Sequence, residues 1–372
     1  VTQWTRVPFD EAVIDATGGN AKVLTGNIDS SGKYPVIDQG QQTVAGYVND
    51  IALLCRRDKR GVILFGDHTR TLKYVDFDFV LGADGVKVLE ARDDFSPRFL
   101  FHFLGSVSIP ANRGYSRHFK YLKRLTVPRP PLGEQYCIAA VLDKADAIRR
   151  KRREVLKLAD EFMNAAFLDL FGDPVTNPKG WPKDSFGNLG TLDRGKSRHR
   201  PRDEPALYGG SHPFIQTGDV ANCDGVVRQH TQSYSDLGLS QSRKWPAGTL
   251  AITIAANIGK TGILGFDACF PDSVVGFTAK PPVSAEFIQF WLGQIQNRLE
   301  ETAPQSAQKN INLEILRDLP VPIPTDGLLK QFTTLVQRAR QSKLRQESLL
   351  QESDLLFGSI QQRAFNGQLA TS

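Results

Sequence analysis

Six polar stretches carry the residue types that read nucleic acid. In the first third of the chain, GDHTRTLKY (66–74) offers His68, Thr69, Arg70 and Lys73, and NRGYSRHFK (112–120) offers Arg113, Tyr115, Ser116, Arg117, His118 and Lys120. In the second half, DRGKSRHRPRDE (193–204) carries Lys196, Arg198, His199 and Arg200, and IQTGDV (215–220) carries Gln216 and Thr217. ANIGK (256–260) adds Asn257 and Lys260, and PQSAQKN (304–310) adds Gln305, Ser306, Gln308, Lys309 and Asn310. Arg and Lys can grip guanine O6 and N7, and Gln and Asn can grip adenine N6 and N7, each good bidentate pair contributing ~1–3 kcal/mol of discrimination. The same cations on phosphates give salt-dependent affinity without sequence information. The plain alternative for each stretch is a solvated polar loop. A further run, Arg149, Arg150, Lys151, Arg152 and Arg153, goes round a helix instead of lying on one face. It suits solvent, a partner subunit, or the phosphates of DNA between two half-sites.

Other chemistries lack their residues. There is no GxxxxGK[ST] phosphate loop, no GxSxG elbow and no Asn-Pro-Pro-aromatic motif of adenine methyltransferases; Asn177-Pro178 continues into Lys-Gly. Pro271-Asp272 is followed by SVVGFTAK, without the Glu-x-Lys that would complete a nuclease metal pair. His68, His118 and His199 are isolated, and the four cysteines (Cys55, Cys137, Cys223, Cys269) have no CxxC spacing. They read as buried free thiols of a reducing cytoplasm. With no secretory signal and no apolar run approaching eighteen residues, a soluble cytoplasmic protein is expected. The formal net charge of +6 favours an anionic partner. No cofactor or metal site is expected in the chain itself.

The elements that would position these loops occur twice. Residues 1–127 contain short apolar runs separated by turn signals, such as YPVI (34–37) and GVILF (61–65), then a short helix SPRFLFHFLG with Ser96 as N-cap. A Pro-rich connector follows, and then a helix over 132–172, free of Pro and Gly from 134 to 171. Such a helix is roughly 55–60 Å long. Its apolar residues Ile138, Val141, Ala145, Ile148, Val155, Ala159, Phe162 and Ala166 predict a coiled-coil seam, interrupted at Arg152. After the stops at Pro174, Pro178 and Pro182 the pattern returns: HPFI (212–215), GTLAITIAA (248–256), SAEFIQFWLG, LRDLPVPIP, and a helix over 328–365 with seam residues Phe332, Leu335, Ala339, Leu349, Leu356 and Ile360. Aligning Val127-Pro128 on Val321-Pro322 gives a repeat offset of 194. The simplest burial of both stripes is to pair the helices. The expected fold is therefore α+β: two similar globular domains separated by a long antiparallel two-helix coiled coil, with a pseudo-two-fold internal repeat. The expected boundaries are 1–127 and 174–322 for the globules, and 128–173 and 323–372 for the linker-and-helix segments. A duplicated scaffold without a catalytic constellation points to binding rather than catalysis.

The order of parts resembles the specificity subunit of type I restriction-modification systems. The resemblance rests on YLKRLTVPRPPLGEQ and LRDLPVPIP leading into the helices, on EFMNAAFLDLFGDP closing the first helix, and on LLFGSIQQRAFNGQL closing the second. It implies two target-recognition domains, each reading one half of a bipartite asymmetric site on double-stranded DNA, with a spacer fixed by the helices. It implies docking of two adenine-N6 methyltransferase subunits and of ATP-dependent nuclease subunits. S-adenosylmethionine, ATP and Mg2+ would belong to those partners. A two-headed protein–protein scaffold, a fused single-chain enzyme and a specificity subunit of a methylation-only system stay open at this level.

Overall fold

The structure is a computed structural model that describes residues 4–82, 85–110, 117–255, 257–302 and 311–369, with the backbone alone for 297–302. Two compact units result: Val1–Glu154 with Glu347–Ser372, and Val155–Gln346. Both long helices, Leu132–Phe171 and Asp326–Phe365, cross from one unit to the other. Each unit combines one globule with a piece of each helix.

In the first unit the strand Thr5–Pro8 pairs antiparallel with Thr126–Arg129, Val7 opposite Val127. Chain entry and exit are thereby fastened together. Between them lie two four-stranded sheets. One runs in the order Val13–Asp15, Val86–Ala91, Val62–Gly66, Leu72–Val75; the other in the order Lys22–Val23, Val80–Gly82, Tyr34–Ile37, Gly46–Val48. The strand Val62–Gly66 is buried throughout, so its run VILFG is apolar on both faces. Alternate side chains serve different cores. Ile63 and Phe65 join Phe99, Leu100 and Phe103 of the helix Pro97–Ser106, while Val62 and Leu64 join Phe79 and Leu81. That helix begins as expected, with Ser96 accepting from Phe99 N at 3.4 Å and Pro97 in the first turn.

The second unit repeats the build. Lys183–Ser185 pairs antiparallel with Pro320–Pro322. A five-stranded sheet follows in the order Gly190–Arg194, Val274–Ala279, Leu250–Thr253, Thr261–Leu264, Val226–Val227, and a four-stranded sheet contains Tyr208–Phe214. The helix Ala285–Thr302 takes the place of Pro97–Ser106, burying Phe287, Ile288, Trp291 and Leu292.

Within each unit the two helix pieces run antiparallel. In the first, Arg149 Nε donates to Asp354 Oδ1 at 2.6 Å, while Ile138 and Leu142 share a core with Ala364 and Phe365. In the second, Lys343 Nζ donates to both Asp160 oxygens at 2.6 and 2.7 Å, and the Phe332 ring meets Phe167 and Phe171 at 5.5 and 5.2 Å between centroids. The offset of 194 carries Arg149 onto Lys343 and Asp160 onto Asp354. The two ion pairs are one pair, built once in each repeat.

This pairing corrects the expected seam of the first helix. Val141, Ile148, Val155 and Phe162 are 43, 52, 46 and 55% exposed, and Leu356 of the second helix is 61% exposed. The buried positions are Ile138, Ala139 and Leu142 in the first unit and Met163, Phe167 and Phe171 in the second. Ala145, Ala159 and Ala166 are half-buried, and of the second helix's seam Phe332 is fully buried while Leu335, Ala339, Leu349 and Ile360 are half-buried. The physical reason is that part of the helix interface within each unit is ionic. Long charged side chains bury their stems along the partner helix, so the aliphatic heptad positions face outward. The thiols also divide differently from expectation: all four are free, Cys55 and Cys269 buried, Cys223 half-buried, but Cys137 exposed on the first helix. Burial pushes the Cys55 thiol up to about 11 and raises Cys223 and Cys269 as well. Among the described residues no helix is long and apolar enough to cross a membrane.

In the first unit, the buried His102 fastens the globule to the first helix. Its Nε2–H donates to Asp143 Oδ1 at 2.8 Å, and Arg98 reaches the same oxygen at 3.4 Å. Burial holds the His102 pKa below the ordinary 6.5, against the opposing pull of Asp143 and Asp146. The folded state therefore binds fewer protons than the unfolded state just below that value, and stability contributed at neutral pH is lost on acidification. The melting temperature should fall between about pH 7.5 and about pH 5.5, and His102→Gln should flatten that part of the profile. An identical slope in the variant would show that His102 is not the titrating group.

Candidate nucleic-acid interface

Two of the expected stretches in the first unit meet. The hairpin joining Val62–Gly66 to Leu72–Val75 carries Asp67, His68, Thr69 and Arg70 at its tip. Arg70 adopts φ 62°, the left-handed conformation of a tight turn, and its N–H bonds back to Gly66 O at 2.7 Å. Asp67 is buried and accepts from Phe119 N at 2.7 Å through its carboxylate, while its carbonyl accepts from His118 N at 2.8 Å and from His118 Nδ1 at 2.9 Å. The hairpin tip and residues 117–120 are thus one fixed surface, from which Thr69, Arg70, Arg117 and Lys120 are exposed. His68 is half-buried at its edge, its N–H on Gln39 Oε1 at 3.4 Å. Arg113, Tyr115 and Ser116 lie outside the described residues.

Two residues expected to face DNA point the other way. His118 is 5% exposed and spends its Nδ1–H on Asp67. Lys73 is 8% exposed; its ammonium donates to Asp38 O at 2.8 Å and Gln42 O at 2.5 Å and lies 3.5 Å from the Asp38 carboxylate. Burial lowers the Lys73 pKa against the raising effect of Asp38. This lysine ties a loop to the sheet. The sequence does carry the signal: in the strand Leu72–Val75, alternation puts Lys73 on the face of buried Val75.

In the second unit three expected stretches are exposed on separate scaffolds. The loop from Lys196 to Arg200 is pinned through its backbone. Lys196 N donates to Phe270 O at 3.1 Å, Ser242 Oγ donates to Lys196 O at 2.8 Å, and Gln241 Oε1 accepts from Arg198 N and His199 N at 2.5 and 3.0 Å. Arg200 Nη1 donates to the carbonyls of Ser197 and His199. Lys196, Arg198 and Arg200 remain exposed and His199 half-exposed. Gln216, at the start of the helix Thr217–Ala221, receives Asp219 on its N–H at 2.7 Å and donates to Gln232 Oε1 at 2.6 Å, with Thr217 half-buried behind it. Asn257 and Lys260 sit on the turn between Leu250–Thr253 and Thr261–Leu264, held by Thr253 Oγ1, which bonds Lys260 N at 3.1 Å; Lys260 Nζ reaches Gln296 Oε1 at 3.3 Å. Gln305, Ser306, Gln308, Lys309 and Asn310 lie outside the described residues.

Sequence reasoning missed the residues that hold these loops still. Asp67 stands inside one of the polar stretches but looks like one more polar residue. Gln241 follows the short helix Asp236–Ser240 and carries no local signal. Nearby cations were missed too: Arg243 lies over the Trp245 ring at 3.8 Å and pairs with Asp193 at 3.0 Å, and Arg202 pairs with Asp272 at 2.9 Å.

The basic run on the first helix is largely consumed by its neighbours. Arg149 and Arg153 share Asp354, and Arg150 pairs with Asp146 at 3.1 Å. Arg152 is half-buried, with no hydrogen-bond partner for Nε among the described residues, and Lys151 is exposed.

Exposed and buried cations should separate in a binding assay on duplex DNA. Lys196→Ala with Arg198→Ala should weaken binding to all sequences and reduce the slope of log affinity against log salt by about 0.9 for each phosphate no longer neutralised. Lys73→Met should leave that slope unchanged and lower thermal stability by about 1–3 kcal/mol, the cost of carbonyls left without their donor. The reverse pattern would assign the phosphate to Lys73.

Similarities to known proteins extend along the chain. The family model described as the type I restriction modification DNA specificity domain matches residues 178–331. The EcoR124I/EcoR124II type I restriction enzyme specificity subunit of Escherichia coli is 21% identical over 355 residues, 87% of this chain and 86% of that protein. The EcoBI specificity subunit of Escherichia coli is 22% identical over 339 residues, 76% of this chain and 68% of that protein. Among solved structures, the type I restriction-modification S subunit from M. genitalium superposes with a TM-score of 0.64 at 14% identity, covering 98% of this chain and 96% of that one. A chain from a structural study of type I restriction-modification complex assembly and conformational transition gives a TM-score of 0.54 at 18% identity, covering 99% of both chains. Residues 178–331 thus match a type I restriction modification DNA specificity domain, the chain is similar over most of its length to two type I restriction enzyme specificity subunits, and its fold is shared with the solved S subunit.

Proposed function

We propose that this chain is the DNA-reading subunit of a type I restriction-modification complex and performs no chemistry itself. The observation that carries the reading is the match of residues 178–331 to the DNA specificity domain, in a chain whose first unit has the same build. One globule reads one half of a bipartite, asymmetric duplex site, and the other globule reads the other half. The pinned polar loops face the duplex, some side chains on bases and others on phosphates: Thr69, Arg70, Arg117 and Lys120 in the first unit, and Lys196, Arg198, Gln216, Asn257 and Lys260 in the second, with Lys196 and Arg198 on phosphates. Rigid backbones suit this role, because a side chain that is already placed loses less freedom on binding. The long helices set the spacer between half-sites.

The chemistry belongs to partners: adenine-N6 methyltransferase subunits that use S-adenosylmethionine, and nuclease subunits that use ATP and Mg2+. The repeat supports two copies of the first partner. In the second unit Phe162, Lys330, Leu335 and Arg338 line an open cleft of about 700 Å³. The offset of 194 carries their equivalents onto Leu356, Tyr136, Val141 and Lys144, where Leu356, Tyr136 and Val141 are 61, 57 and 43% exposed. Each repeat thus presents an apolar patch edged by a cation or a tyrosine. Patches of this kind on a folded surface mark interaction sites.

The test is genome methylation mapping in a host lacking such systems, with this chain expressed beside its methyltransferase subunit. One gapped adenine motif should appear. Exchange of residues 5–129 for the corresponding segment of another specificity subunit should change one half of that motif and leave the other half intact. Absence of any gapped motif, or a change in both halves, would sink the two-reader assignment.

A further inference from the structure

The repeated ion pair is not identical in its surroundings. In the first unit Arg149 bonds Asp146 and Asp354 and lies 4.2 Å over the Phe357 ring. All three partners belong to the long helices. In the second unit Lys343 is buried and bonds Asp160 of the first helix, but its third bond, at 2.8 Å, goes to Asp224 Oδ1. Asp224 belongs to the globule, in the loop between the helix Thr217–Ala221 and the strand Val226–Val227. All three hydrogens of the ammonium are thereby engaged, two on a helix carboxylate and one on the globule.

The same loop is held a second time. Gln289 Nε2 donates to Gly225 O at 2.8 Å, and Gln289 Oε1 accepts from Arg340 Nη2, one helical turn before Lys343. Gly225 has φ 71°, and a side chain there would approach the Arg340 guanidinium at 3.2 Å. Residues 224 and 225 are therefore fastened to the second helix at two successive turns. The helix Thr217–Ala221, whose N-cap Gln216 is a proposed reader, lies three residues before this fastening.

We propose that Lys343, with Asp224, is the positioning element that fixes the second recognition globule on its helices, and that the complex accepts a single spacer length because of it. The inference rests on the specificity-subunit reading. Lys343 touches no base; it acts by denying the globule a rotation about its helices. Without it the readers keep their chemistry, but their distance from the other half-site loses definition.

The experiment co-expresses Lys343→Met and Asp224→Asn variants of the full chain with the methyltransferase subunit and maps adenine methylation. Lys343→Met keeps the buried stem and removes the charge; Asp224→Asn keeps the shape and weakens the tie with little risk to folding. Both variants should methylate the original half-sites at the original spacer and, at no less than about a tenth of that level, at spacers one base pair longer or shorter. Lys343→Arg should retain one spacer. Arg149→Met, which removes the equivalent pair without touching a globule, should also retain one spacer, because Arg153 on Asp354 and the Lys343 pair still hold the helix register. A single spacer in both test variants overturns the proposal. So does a change in half-site bases, relaxation by Arg149→Met, or loss of all methylation by Asp224→Asn. If the wild-type chain yields no gapped motif, the specificity-subunit reading itself has failed, which is a separate outcome.

Discussion

A cation on one helix bonded to a carboxylate on the other is the interaction on which the structure depends. It occurs as Arg149 with Asp354 and as Lys343 with Asp160. Aliphatic pairing would allow the helices to slide by a heptad, because one leucine fits much like the next. An ion pair in a partly buried interface has one satisfied register, and misplacing it strands a charge, a penalty of about 3–5 kcal/mol for fully buried pairs and less at this exposure. The specificity gained is one of register, the best-attested use of polar groups in helix interfaces. Each unit adds an apolar cluster to its ion pair: Ile138 and Leu142 with Phe365 in one, Phe167 and Phe171 with Phe332 in the other.

Much of the fold was legible without coordinates because it is written twice. The order of apolar runs, the Pro-rich lead into each helix, and the breaks at Gly172 and Pro174 are local signals, and two copies in register made them specific. The buried face of the first helix was not legible. Scoring aliphatic residues alone selected Val141, Ile148, Val155 and Phe162, which share a face with one another but look outward. The true face contains Gln135, Arg149 and Asp160, residues whose placement inside requires partners far away in sequence. Gln135 is fully buried because its amide bonds Ser96 N, Asp94 O and Pro130 O. No periodicity reveals such an arrangement.

The candidate interface shows the same division. Composition located the polar loops, and the structure joined two of them through Asp67 and pinned a third through Gln241. Composition could not tell a lysine that reaches out from one that reaches in. Lys73 and Lys120 stand in similar company in the sequence, yet one is spent on loop carbonyls and the other is exposed. Burial depends on which strand face a residue occupies, and that is decided by pairing partners at long range. Residues that hold the loops are harder still to find, because a buried carboxylate bonded to a backbone N–H resembles any other Asp in a turn.

The antiparallel pair of Thr5–Pro8 with Thr126–Arg129, and its counterpart Lys183–Ser185 with Pro320–Pro322, has a consequence for heredity. Each globule leaves and rejoins the scaffold at adjacent backbone positions, like a loop of rope tied at its neck. Whatever lies beyond the knot can lengthen, shorten or be replaced by recombination without shifting a single residue of the helices. Under the proposed function, a lineage carrying this chain would trade one half of its vocabulary in a single genetic event and keep the grammar that joins the halves.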